Sequence, residues 1–295
     1  MRGGGLQELG QMARFSLALA AMVWTAVADG AESDKSGFHL FNPTPKNLMR
    51  DMSTDRPDVT ESPITVDAGH YQVEMDFVGI AYDRDTSGAA NTRTLSYTAP
   101  SINLKAGLLN NVDLQLVLEP FNWERVEDRV AGTTLRNSGF GDIQTRLKIN
   151  LWGNDVGETA LGVMPWVKWP TAANSLGNGS VEGGLIVPFG FGLPYDWEVG
   201  VMAEFDVIRD SNGGGHHLEV VNSIAVGHDI VGSLGGYLEF ISVVNAEGGS
   251  DWSGVIAAGL TYGINENTQL DAGVNVGIVE AADDVRPFVG LSWRF

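Results

Sequence analysis

The 295-residue chain predicts an all-β fold, a transmembrane antiparallel up-and-down β-barrel of about 12 strands, on three observations. Apolar and polar residues alternate with period 2 in segment after segment, each close to the ~10 residues that cross a bilayer at a tilt. The connections alternate between short and long, as they do in barrels that keep turns on one side of a membrane and loops on the other. Tryptophans gather at segment ends, where an indole ring settles at the water–lipid boundary.

In chain order, Arg14 precedes the apolar run Phe15–Trp24, and Thr25-Ala26-Val27-Ala28 places small residues at the −3 and −1 positions for cleavage before Asp29. Residues 1–28 therefore predict a signal peptide, and a run this short falls below the roughly 18 apolar residues that span a bilayer as a helix. Glu8 is out of place in a basic leader, so a start at Met12 gives a more ordinary one than Met1. Residues 29–69 carry Pro43, Pro45, Pro57 and Pro63 and predict an irregular periplasmic segment or plug. The barrel is expected over 70–295. Its first strand sets Tyr71, Val73, Met75 and Phe77 against Gln72, Glu74 and Asp76. Further alternating runs lie near 93–108, 112–121, 139–151, 158–169, 181–193, 197–208, 216–228, 232–243, 252–263, 268–279 and 286–295. Connections after even-numbered runs are short (Leu109-Asn110-Asn111; Pro194-Tyr195-Asp196), and the longest loop is expected at 122–138.

Solvent physics assigns the faces, because a charge on the hydrocarbon face costs a few kcal/mol near mid-membrane. Asp113, Glu119, Asp142, Arg146, Lys148, Glu198, Glu204, Asp206 and Asp271 are thus expected to line the lumen, with Gly200, Gly273 and Gly277 leaving it some room. Arginine is expected to be better tolerated at inward Met202 than at outward Val201. Trp123, Trp152, Trp169, Trp197, Trp252 and Trp293 predict two aromatic girdles, and Phe295 a terminal signal for the barrel-assembly machinery. With Lys+Arg 18 against Asp+Glu 37 and a net charge of −19, the chain lacks the basic clusters that nucleic-acid binding needs. Zero cysteines exclude a disulfide framework, a thiolate metal site and a cysteine nucleophile. His216 and His217 are neighbours on a strand and point to opposite faces, so no metal site is expected there. No G-x-S-x-G elbow or nucleotide loop occurs, and neither an enzyme nor a cofactor is expected.

Ser53-Thr54-Asp55-Arg56-Pro57-Asp58-Val59-Thr60-Glu61-Ser62-Pro63, followed by Gly69-His70-Tyr71-Gln72-Val73-Glu74, resembles the outer-membrane transporter family called "putative meta-pathway of phenol degradation". Gly139-Phe140-Gly141-Asp142, Asn150-Leu151-Trp152-Gly153-Asn154-Asp155, Val167-Lys168-Trp169-Pro170-Thr171 and the closing Trp293-Arg294-Phe295 are similar to it as well. The resemblance runs from about residue 45 to the end and implies passage of hydrophobic or aromatic compounds. The expectation is a channel in a Gram-negative outer membrane, with lipid, the assembly machinery and a small solute as partners. Arg50, Asp55, Arg56, Asp58 and Glu61 are the plug or gate candidates, either closing the mouth or merely sealing it. An outer-membrane lipase or protease, and a structural or adhesive barrel with a blocked lumen, are the alternatives.

Overall fold

The computed structural model describes residues 34–295, apart from residues 88, 174, 175, 249 and 250; the expected leader lies outside the described residues. After a short 3-10 turn at Lys46–Leu48 come β1 (Tyr71–Asp85), β2 (Thr92–Thr98), β3 (Ser101–Leu109), β4 (Val112–Leu118), β5 (Asn122–Asp128), β6 (Thr133–Gly139) and β7 (Ile143–Trp152). There follow β8 (Thr159–Trp169), β9 (Glu182–Leu193), β10 (Trp197–Arg209), β11 (His216–Val231), β12 (Leu234–Asn245), β13 (Ser253–Asn265), β14 (Thr268–Gly277) and β15 (Val285–Arg294). All pairings are antiparallel, and β15 returns to β1, so the sheet closes. Three crossings are each built of two halves, β2 with β3, β4 with β5 and β6 with β7, so that fifteen strands make twelve crossings.

The burial pattern is that of a soluble protein turned inside out. Leu238, Leu260 and Ile224 are exposed on the outer face, while Gln72, Glu74, Lys105, Asp113, Gln115, Lys148, Glu239 and Asp271 are buried within. A bilayer around the outer surface explains both halves of that distribution.

The breaks in the three split crossings fall at 99–100, 119–121 and 140–142, beside a register shift between Asp76 and Val78 of β1. They lie on four neighbouring strands. Pro100 and Pro120 have no N–H for the ladder, and each break reverses which residue parity points inward. Beyond the breaks β1, β2, β5 and β6 continue as a sheet on the long-loop side, and no described strand pairs with the other edge of β6. Here the sequence expectation needs correction. Residues 122–138 are a hairpin, β5 and β6, with a turn at 129–132. Away from hydrocarbon neither face must be apolar, so the hydrophobic alternation that marks the other strands is missing.

The seam joins the ends of the barrel. The Tyr71 amide donates to the Phe295 carbonyl at 3.1 Å, and the Phe295 amide donates back at 2.9 Å. The Phe295 ring stacks on Tyr71 at 5.8 Å and meets Trp293 at 4.7 Å. Deleting Phe295 removes the last seam pair together with its aromatic cover, and is expected to lower the yield of heat-modifiable, membrane-inserted barrel severalfold. Pulse-chase gels with unchanged synthesis and export check this, and undiminished insertion overturns it.

Candidate functional site: a looped plug in the lumen

The segment from Thr54 to Pro63 is broken by Pro57 and Pro63 and forms no regular element, so its backbone donors need partners from elsewhere. The barrel wall supplies them as carboxylates. Asp55 donates its amide to Glu74 at 3.2 Å, Val59 and Thr60 donate theirs to Glu239 at 3.0 and 2.8 Å, and Val66 donates to Asp113 at 3.0 Å. Ser62 donates to Asp55 itself at 3.0 Å, and the Asn150 amide group donates to the Pro63 carbonyl at 2.9 Å. The segment thereby touches strands all round the lumen.

Its charges are matched as closely. The buried Asp55 carboxylate is shared by Lys105 of β3 and Lys148 of β7, and Lys105 also meets Glu74. Arg56 binds Asp271 at 2.6 and 3.2 Å and Asp76 at 2.8 Å, with its guanidinium 5.7 Å from the centre of the Phe288 ring. Glu61 accepts from Arg146 at 2.6 Å. At the short-turn mouth Arg50 donates to the Thr65 carbonyl at 3.0 Å and to the Asn110 carbonyl at 2.9 Å, while the Thr65 hydroxyl reaches that same carbonyl at 3.1 Å. Arg50 is also paired with Asp67 at 3.3 Å and Asp155 at 3.4 Å. Asn110 thus fastens both ends of a loop whose middle lies deep in the barrel.

Close approach leaves little room for a side chain at one wall position and none at another. A Cβ at Gly200 would stand 3.0 Å from the Thr60 methyl, and one at Gly290 would fall on the Arg56 guanidinium. The room expected at Gly200, Gly273 and Gly277 is therefore taken, by the plug at the first, by Tyr237 and Phe288 at the second and by Ala282 and Asp283 at the third.

Burial alone would keep Asp55 protonated, but the Lys105 and Lys148 ammonium groups overcome it and hold its carboxyl far below the usual range. Glu61 moves the other way, pushed up to about 8 by burial and then by the Asp55 charge, against the pull of Arg146. Burial first and the Glu239 carboxylate second push Asp58 well up, with Glu61 and Asp55 adding to the shift. Among the described residues no ion pair relieves Asp58. A carboxyl raised in the seated loop supports that seat fully below its free value of about 3.9 and loses its contribution as pH climbs through the raised one. Asp55 is depressed, so its support is lost only in strong acid. The plug is therefore expected to sit more weakly at pH 9 than at pH 5. Asp58→Asn should flatten the Asp58 part of that dependence in single-channel recordings; an unaltered profile counts against it.

Each predicted residue has a definite place. Asp113, Arg146, Lys148 and Asp271 meet the plug. Glu204 and Asp206 project from the inward face of β10, where Asp206 accepts from the Trp166 indole at 3.1 Å. Glu119 and Asp142 occupy two of the strand breaks, accepting from Asn122 at 3.0 Å and from the Ala172 amide at 2.8 Å, and Glu198 lies exposed near the turn-side mouth. Outward Trp152, Trp169, Trp197, Trp252 and Trp293 are each between 40 and 46% exposed, and Trp123 packs on Tyr97 at 5.3 Å. Met202 points inward but is buried in an apolar cluster with Met164, Trp166 and Ile186, so arginine there is no mild change. Sequence reasoning missed Lys105 and Glu239. Both stand as single charges between apolar neighbours, Leu104 and Ala106 for one, Leu238 and Phe240 for the other, which is the available signal.

The model of the family described as "Putative MetA-pathway of phenol degradation" matches residues 54–295, and the chain belongs to that family. No curated protein matches it by sequence. An outer membrane channel from Pseudomonas putida F1 has a similar structure, with a TM-score of 0.59 at 12% identity, covering 82% of this chain and 100% of that one. The translocator domain of the autotransporter NalP from Neisseria meningitidis gives 0.49 at 11% identity, covering 77% and 88% of the two chains. The NanC porin gives 0.46 at 10% identity, covering 76% and 98%.

Proposed function

We propose, proceeding from that membership, that the chain is a bacterial outer-membrane channel for passive diffusion of small solutes, apolar and aromatic ones among them. Residues 51–64 act as its gate, and the short turns face the periplasm. The observation that carries this reading is the polar loop held by ion pairs inside a closed barrel. A loop whose two ends are fastened at the same mouth is a removable obstruction, because it can leave the lumen without the barrel opening. The inward cluster of Met164, Trp166, Ile186 and Met202 is buried while the loop is seated, and its withdrawal would present an apolar stretch of wall to an aromatic solute. Liposome swelling with small neutral sugars and aromatic alcohols tests the reading, with lipid hydrolysis measured alongside. Permeation without hydrolysis supports it; hydrolysis supports a barrel enzyme.

The extent of the ion pairing favours one second reading, a structural barrel sealed for good. Absence of permeation both in the native protein and after the plug is weakened would select it.

Selectivity follows from which lumen charges are left over. Asp55, Asp76 and Asp271 are matched by cations, but no ion pair holds Glu198, Glu204 or Asp206 among the described residues. A narrow low-dielectric passage concentrates ions of the sign opposite to its lining. Cations should pass in preference to anions, and Glu198→Gln with Glu204→Gln and Asp206→Asn should lower that preference in bilayer reversal potentials. An unchanged reversal potential would remove the electrostatic part of the reading.

A further inference from the structure

Residues directly opposite in neighbouring strands point to the same face of a sheet, so the register sorts the sheet beyond the strand breaks into an inner and an outer side. Gly79 pairs with Phe288, which faces the lumen against Arg56, and with Thr98; Thr98 pairs with Asn122 and Asn122 with Gly139. The alternate set therefore faces outward. Nearest the bilayer it presents the packed pair Tyr97 and Trp123. The next row out holds Arg125 opposite Arg136, and the row after that holds Arg84 opposite Arg93, with Arg93 opposite Glu127.

Four arginines and one glutamate thus share a small outer surface of a chain whose net charge is −19. Among the described strands Glu127 is the single acidic residue at an outward position, and outside this cluster Arg209 is the one lysine or arginine at an outward position. Glu127 pairs with Arg125 alone. Arg84 and Arg136 are exposed, and the Nε atoms of Arg93 and Arg125 are shielded from solvent without a protein acceptor. Placing Arg84 against Arg93 and Arg125 against Arg136 across strands is repulsive unless an anion lies between them. The cluster is on the outside of the wall, so it plays no part in the solute path.

We propose that this surface binds the phosphate groups of the phosphorylated glycolipid that forms the outer leaflet. The proposal rests on the outer-membrane reading above. Its height just beyond an aromatic pair puts the guanidinium groups where lipid phosphates lie. Arginine's planar fork matches a phosphate with two parallel hydrogen bonds, which lysine does not provide. Acyl chains of the same lipid would cover the apolar wall below.

The test titrates the full folded chain in detergent with diphosphoryl lipid A, with fully dephosphorylated lipid A and with phosphatidylethanolamine, followed by native mass spectrometry. The native protein should prefer the diphosphoryl form at least tenfold over the other two. Arg93→Gln with Arg125→Gln and Arg136→Gln should lose that preference, and the exposed pair Arg84→Gln with Arg136→Gln, which leaves the part-buried arginines in place, should lose about threefold. Equal binding of phosphorylated and dephosphorylated forms by the native protein, or undiminished preference in the folded exposed-pair variant, overturns the proposal. Solute permeation is measured on the same preparations. Its failure with lipid preference intact counts against the channel and for this surface, whereas intact permeation with no phosphate preference does the reverse.

Discussion

Asp55→Ala is expected to open the channel. The substitution leaves the ammonium groups of Lys105 and Lys148 buried, among the described residues the first with only Glu74 and the second with no ion pair. Removing one partner of a buried ion pair costs about 3–5 kcal/mol. At roughly 1.4 kcal/mol per tenfold change, that shifts the balance between seated and withdrawn plug by a factor of about 10² to a few times 10³. Sugar-driven liposome swelling should accelerate manyfold, and a protease added from the turn side should cut within residues 51–64. Combining Asp55→Ala with Lys105→Met and Lys148→Met removes the stranded charges and should restore much of the closed state. Unchanged swelling in Asp55→Ala would mean that the hydrogen bonds to Glu239 and Asp113 hold the loop without its central charge.

Val201→Arg carries the second large effect. Val201 is the fifth residue of β10, four beyond the girdle residue Trp197, opposite Phe189 and Ile224 on the outward face. A guanidinium there enters hydrocarbon near the midplane, at about 2–4 kcal/mol, whereas near the interface the same change costs about 0–1 kcal/mol. Tyr262→Arg, close to the turn between β13 and β14, is the matched control. Urea unfolding in lipid vesicles should separate the two variants clearly. Equal losses would show that the assigned depth and facing are wrong.

The parts of the fold inside the bilayer were legible because lipid imposes one rule on every strand. Alternation had to be apolar outside, and the runs around Val112, Ile143, Trp197 and Leu270 obey it. The hairpin of β5 and β6 was illegible for the complementary reason, since Arg125, Glu127 and Arg136 face water or headgroups and escape the rule. In the lumen, charge identity was legible and pairing was not. Nothing local in the chain links Asp55 to Lys148, which lie 93 residues apart and meet only because β7 and the loop share the same depth. Met202 shows a further limit. Inward-facing and polar-tolerant are separate properties, and only packing against Met164, Trp166 and Ile186 tells them apart.

The clamp at Asn110 has a mechanical consequence. Arg50 and Thr65 bracket the inserted residues and meet the same turn, so the chain goes in and comes out through one opening. Nothing has to be threaded, and the seam between β1 and β15 need never part for the loop to move. On one side the loop runs into β1, which is fixed in the wall; on the other it continues into residues 35–44, which are bonded to the mouth through Lys35 with Asp155, Leu40 with Leu108 and Thr44 with Ala68. Tension on that side, directed away from the membrane, would first part Lys35 from Asp155, Leu40 from Leu108 and Thr44 from Ala68, then strip Arg50 from Asn110, and only then draw the ion pairs of the inserted loop apart in turn. Pressure from the opposite face has no such handle, which makes the stopper one that yields to traction from a single side.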